Sequence, residues 1–121
     1  MLEKKILLID DEETILDTYS ALLGEKGYLV VTANCGKNGL EECFLQSFDL
    51  VITDLTMPGI DGFALIQEIK ENFPETPVIV FTGNGAGYRS VKEYASLLGA
   101  EALIEKTCSN EMFISCITNS L

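Results

Sequence analysis

Histidine is absent from the 121-residue chain. Zinc sites built on imidazole, Ser-His catalysis and phosphorylation on histidine are therefore excluded within it. Basic charge is scarce as well: 8 Lys and Arg stand against 19 Asp and Glu, a formal charge of -11. Such a surface repels phosphate backbones, so direct binding of nucleic acid or of an anionic membrane is not expected. Apolar runs are short. Residues 1–5 pass straight into one that ends in acids, which fits neither a signal peptide nor a membrane span. A cytoplasmic location without membrane insertion is the expectation. The four cysteines, Cys35, Cys43, Cys108 and Cys116, lack zinc or redox spacing and read as small apolar residues in a reducing compartment. Linkers, internal repeats and low-complexity segments are missing too, so residues 1–121 read as one domain.

What is present is a hydrophobic fraction of 47%, enough for a sizeable core. Residues 6–9, 50–52 and 78–81 are continuous apolar runs, the pattern of strands covered on both faces of a parallel sheet. Residues 28–33 and 102–104 are weaker candidates, suited to sheet edges. Helical stripes lie between them: Ile15, Leu16, Tyr19, Leu22 and Leu23; then Leu40, Cys43 and Phe44; then Phe63, Leu65, Ile66, Ile69 and Phe73. Val91, Tyr94, Ala95 and Leu98 form a fourth, and Met112, Phe113, Cys116 and Ile117 a fifth. Gly24 or Gly27 can close the first helix, Pro74 stops the third and Gly99 ends the fourth. Strand and helix alternate about five times with short connections, which predicts an α/β fold with a parallel sheet and right-handed crossovers.

In open parallel sheets, ligands bind beyond the carboxyl ends of the strands. The polar residues there are Asp10 and Asp11 after the first run, Thr53 and Asp54 after the third, Thr82 after the fourth, and Lys106 beyond the weak last one. Asp10 or Asp11 can equally cap the first helix. Asp54 instead precedes a turn at Met57, Pro58 and Gly59. Carboxylates crowded on one rim favour protonation or a bound cation, and oxygen-only ligands suit Mg²⁺. A phosphoryl group captured on Asp54 then fits the chemistry, with Lys106 and the Thr82 hydroxyl on its remaining oxygens.

Taken in order, Asp10-Asp11, the segment from Asp54 to Gly62, Thr82-Gly83, and Gly99-Ala100 ahead of Lys106 resemble the response-regulator receiver domain of two-component signalling. The resemblance spans nearly the whole chain. It implies a flavodoxin-like, doubly wound, five-stranded parallel sheet of order 2-1-3-4-5 with helices on both faces. It also implies Asp54 as phosphoacceptor, Asp11 as a direct Mg²⁺ ligand, Asp10 as a ligand through water, and the Thr56 backbone carbonyl completing the protein's share of the shell. Thr82 resembles the switch hydroxyl and Lys106 its partner cation. A sensor histidine kinase or histidine phosphotransfer domain would donate the phosphoryl group, and an effector domain or target protein would read the result, around the fourth helix, last strand and fifth helix.

Two positions depart from the family's pattern. Thr107 follows Lys106 where proline is usual, and Leu103 stands where a rotating aromatic is common. The glycines at 83, 85 and 87 predict a loosely ordered loop after Thr82. Three other readings compete. A dehalogenase-like phosphohydrolase resembles Asp-x-Asp, which Asp54-Leu55-Thr56 does not supply. A receiver-like interaction module that no longer accepts phosphate is the second, and a flavin carrier of the same fold is the third.

Overall fold

The computed structural model describes residues 3–57, 60–83 and 88–121. Among the described residues, seven strands and five helices follow one another: β1 (Lys5–Ile9), α1 (Glu13–Glu25), β2 (Leu29–Ala33), α2 (Gly36–Leu45), β3 (Leu50–Thr53), β4 (Thr56–Met57), β5 (Ile60–Asp61), α3 (Gly62–Asn72), β6 (Val78–Thr82), α4 (Tyr88–Leu97), β7 (Ala102–Glu105) and α5 (Asn110–Asn119). Five of the strands form one parallel sheet in the order β2-β1-β3-β6-β7, which is 2-1-3-4-5 counted along the sheet strands alone. The two runs read as weak strands are its edges. The three continuous runs are its middle, where a strand is covered above and below and needs apolar side chains on both sides.

Alternation within each strand feeds two separate cores. Leu7, Ile9, Val51, Val78 and Val80 face α2, α3 and α4, meeting Cys43, Leu65, Ile66, Ile69 and Ala95. Ile6, Leu8, Leu50, Ile52, Ile79 and Phe81 face α1 and α5, meeting Leu16, Tyr19, Leu23, Phe113 and Ile117. Tyr19, Phe81 and Phe113 form a ring cluster in the second core, with centroids 4.7–4.9 Å apart. Helices therefore cover both faces of the sheet, as expected. Among the described residues no helix is long and apolar enough to cross a membrane.

Several helical stripes are narrower than the sequence pattern implied. Phe44 is 62% exposed and rests on the ring of Phe73 at 5.0 Å instead of entering the core. Gly39 takes the close approach on α2: a Cβ there would sit 2.4 Å from Ile9 Cδ1. Tyr94 and Met112 are exposed, so α4 buries Ala95 while α5 buries Phe113 and Ile117. Gly27 (φ 91°) and Gly99 (φ 109°) follow α1 and α4 in the left-handed region that glycine tolerates; Gly24 lies inside α1. The turn after Asp54 is a small antiparallel hairpin of β4 and β5, in which Thr56 pairs with Asp61. Its tip at 58–59, and 84–87 of the glycine-rich loop, lie outside the described residues.

Candidate functional site

Parallel ladders in this sheet continue one residue past β1, β3 and β7, and that step builds the site. The Asp10 N–H donates to the carbonyl of Ala33 at the end of β2 (3.1 Å). The Asp54 N–H donates to that of Ile9 at the end of β1 (3.1 Å), and the Lys106 N–H to that of Thr82 at the end of β6 (2.8 Å). Asp10, Asp54 and Lys106 are each thus the first residue beyond their own strand, held by the last carbonyl of the neighbouring one. All stand on a single rim because the register demands it.

The side chains converge there. Lys106 Nζ lies 2.8 Å from Asp10 Oδ2, 2.9 Å from Asp54 Oδ2 and 3.4 Å from Glu12 Oε1. Asp10 and Asp54 are buried, whereas Asp11 and Glu12 are exposed. Asp54 Oδ1 accepts the N–H groups of Leu55 (2.7 Å) and Thr56 (3.2 Å), which fix its carboxylate plane. Thr82, Gly83, Thr56, Asp11, Glu12, Asp54 and Lys106 line one open cleft of about 480 Å³. Asp10, Asp11, Asp54, Thr56, Thr82 and Lys106 all come to this rim, whereas Thr53 stays buried as the last residue of β3, its hydroxyl donating to the Asp54 carbonyl at 3.0 Å.

Asp10 does not cap α1. Its Oδ1 accepts the N–H of Glu12 at 2.9 Å, a local turn two residues long, and Glu12 is itself the N-cap with no side-chain bond to the helix. Asp10 Oδ2 is buried and meets the Lys106 ammonium at 2.8 Å, as an ion pair. Burial pushes the Asp10 carboxyl above the usual range; contact with Lys106 and the Glu12 N–H pull it partly back, and Asp54 repels its charge. Burial alone would lower the Lys106 ammonium, but contact with Asp10 and Asp54 outweighs it, and Lys106 is held firmly protonated.

One ligand atom each from Asp10, Asp11, Glu12 and Asp54 lies within 4.8 Å of the others. Lys106 meets three of these four carboxylates, so one positive charge leaves an excess of negative charge on the rim. This donor set fits a hard divalent cation that takes oxygen ligands. Glu12 is the participant that reading strand ends did not single out. Its signal was the unbroken acidic run of residues 10–13, which seemed complete at Asp11.

The two departures also have structural correlates. Among the described residues no peptide bond is cis, so the step from Lys106 to Thr107 is trans. Leu103 is buried against the first core, paired in register with Val80. The ring of Tyr94 on α4 instead contacts Phe63, at 4.8 Å between centroids.

Comparison with known proteins gives a consistent result. Residues 6–118 match the model of the response regulator receiver domain. The transcriptional regulatory protein DltR of Streptococcus agalactiae is 34% identical over 102 residues, 84% of this chain and 45% of that protein. ZraR of Escherichia coli, also a transcriptional regulatory protein, is 39% identical over 98 residues, 81% of this chain and 21% of that protein. The chain thus spans less than half the length of these curated relatives. Among solved structures, a response regulator receiver domain protein from Clostridium thermocellum is 35% identical with a TM-score of 0.88, covering 97% of this chain and 93% of that one. The response regulator TrrA from Thermotoga maritima, solved in complex with Mg²⁺ and BeF, is 29% identical with the same TM-score, covering 98% and 99%.

Proposed function

Because the chain belongs to the response-regulator receiver family, we propose that it is a phosphoryl-accepting switch in which Asp54 is the residue modified. The observation that carries this reading is the placement of Asp54: a buried carboxylate, clamped by two backbone N–H groups, with its second oxygen facing Lys106 in an open cleft. Asp54 is the nucleophile. As its carboxylate oxygen bonds to phosphorus, the P–N bond of a donor phosphoimidazole breaks, and the imidazole leaves with the electron pair and takes a proton from solvent. Lys106 and the Thr82 hydroxyl receive the transferred oxygens at the sheet edge. Asp10, Asp11, Asp54 and the Thr56 carbonyl would hold a Mg²⁺ ion, which when bound offsets the negative charge of carboxylates and phosphoryl group.

The donor is a phosphohistidine on a sensor kinase or phosphotransfer domain, since the chain holds no histidine of its own. Its relatives are longer transcriptional regulators, so an effector domain or a separate target reads the switch. The formal charge of -11 argues that this domain does not itself grip DNA. The chain transfers a phosphoryl group to itself and loses it by hydrolysis; it does not turn over an external substrate. The test is incubation with acetyl phosphate and Mg²⁺ followed by intact mass. Wild type gains one phosphoryl group and Asp54→Ala gains none. An adduct that survives the substitution, or multiple turnovers on generic phosphate esters, would reject the reading.

A further inference from the structure

Glu12 opens α1, where an acid ordinarily serves as a cap or complements the helix dipole. Here its side chain makes no capping bond. Its backbone is pinned by the Asp10 carboxylate, while its own carboxylate, 59% exposed, turns into the cleft and stops 3.4 Å from Lys106 Nζ. Lys106 is thereby shared among three carboxylates, two buried and one exposed.

That sharing has a consequence once the site is loaded. Asp10 and Asp54, like Asp11 and Glu12, offer an oxygen to the set that fits the divalent cation, and whatever charge the two buried aspartates lend to it is withdrawn from Lys106. Glu12, with one more methylene than an aspartate and no capping bond, is free to follow the ammonium. We propose that Glu12 is a positioning residue that holds Lys106 in the cation-loaded, unphosphorylated site and competes with the phosphoryl oxygens for it. The inference rests on the reading of Asp54 as phosphoacceptor. Glu12 thus acts through Lys106 and sets how readily a phosphoryl group is gripped, without itself touching phosphorus. Water screens the exposed Glu12 end of this pair, so the effect is modest, about two- to five-fold in binding.

The test compares wild type, Glu12→Gln and Glu12→Asp by titration calorimetry, using beryllofluoride as an inert phosphoryl mimic at saturating Mg²⁺. Mg²⁺ alone is titrated in parallel, to separate cation affinity from mimic affinity. Glu12→Gln is expected to bind beryllofluoride about two- to five-fold more tightly than wild type. Glu12→Asp should do the same, because its side chain is about 1.5 Å shorter and loses Lys106 while keeping its charge. Tighter binding in the glutamine variant with wild-type binding in the aspartate variant would mean that charge alone acts, and would overturn the positioning role. Unchanged or weaker binding in Glu12→Gln would overturn it as well. If wild type does not bind beryllofluoride, or Asp54→Ala binds it equally well, the phosphoacceptor reading fails and the role of Glu12 falls with it.

Discussion

Replacing Lys106 by methionine keeps most of the apolar stem and removes the ammonium that lies 2.8 Å from Asp10 and 2.9 Å from Asp54. Both partners are buried and Lys106 itself is only 12% exposed, so water cannot take over its part. Removing one member of a buried ion group costs about 3–5 kcal/mol, because the charges left behind remain desolvated. Asp10, whose carboxyl already sits above its ordinary range, takes up a proton and recovers some of that. The expected loss is therefore near the low end, ~3 kcal/mol. For a chain of this length the unfolding entropy is roughly 0.25 kcal/mol/K, so Tm falls by about 12 °C. Urea and thermal melts in chelator, at low salt, read this directly. Mg²⁺ should then restore more stability to the variant than to wild type, since Lys106 no longer contests Asp10 and Asp54; at a hundredfold excess over Kd the gain is about 2.7 kcal/mol. Midpoints in chelator that agree within about 0.5 kcal/mol would refute the claim that Lys106 holds this rim together.

Three further outcomes follow from the same structure. Asp10→Asn should stabilise the metal-free protein at neutral pH, because burial and Asp54 hold that carboxyl above its unfolded value; the folded state binds the proton more tightly, so the ionised form weakens the fold and its cost disappears as pH falls through the folded pKa. Urea midpoints over a pH series in chelator check this, and a difference between wild type and variant that grows toward acid pH would contradict it. Gly62→Ala would place a Cβ 2.5 Å from the Leu55 backbone, so about 1–3 kcal/mol of stability should be lost, with slower phosphorylation as the N–H clamp on Asp54 shifts; wild-type melting and wild-type kinetics together would reject the close packing. Cys43 is buried beside Glu42 and its thiol is pushed up to about 11, so pulsed alkylation near pH 8 should leave it unmodified until the chain unfolds; peptide mapping that finds it labelled at the unfolded rate would count against that burial.

The sheet was legible because covered strands need apolar side chains on both faces, and residues 6–9, 50–52 and 78–81 have them. The rim was legible for a related reason: polar residues at strand ends have one place to go, and Asp10, Asp54, Thr82 and Lys106 all went there. Helix faces were harder to read. Phe44, Tyr94 and Met112 keep the helical spacing of buried residues, yet lie exposed. Spacing defines a stripe, whereas the width a sheet can cover depends on where each helix crosses it. A turn was legible after Asp54, but the strands β4 and β5 on either side of it were not, since two residues are too short to show a period. Glu12 was hidden in another way. A glutamate opening a helix is ordinary, and only the direction of its side chain distinguishes a capping acid from one that reaches for a lysine.

Neighbouring leucines in β1 lead separate lives. Leu7 belongs to the compartment under α2, α3 and α4, and Leu8 to the one under α1 and α5, although their chemistry is identical. Parity along the chain, more than composition, assigns each to its side. Deleting one residue from this strand would leave its hydropathy nearly intact while exchanging every inward and outward position beyond the cut. It would also draw Asp10 back one step from the edge, where the carbonyl of Ala33 now secures it. Such a shortened protein would carry the right letters in the wrong phase.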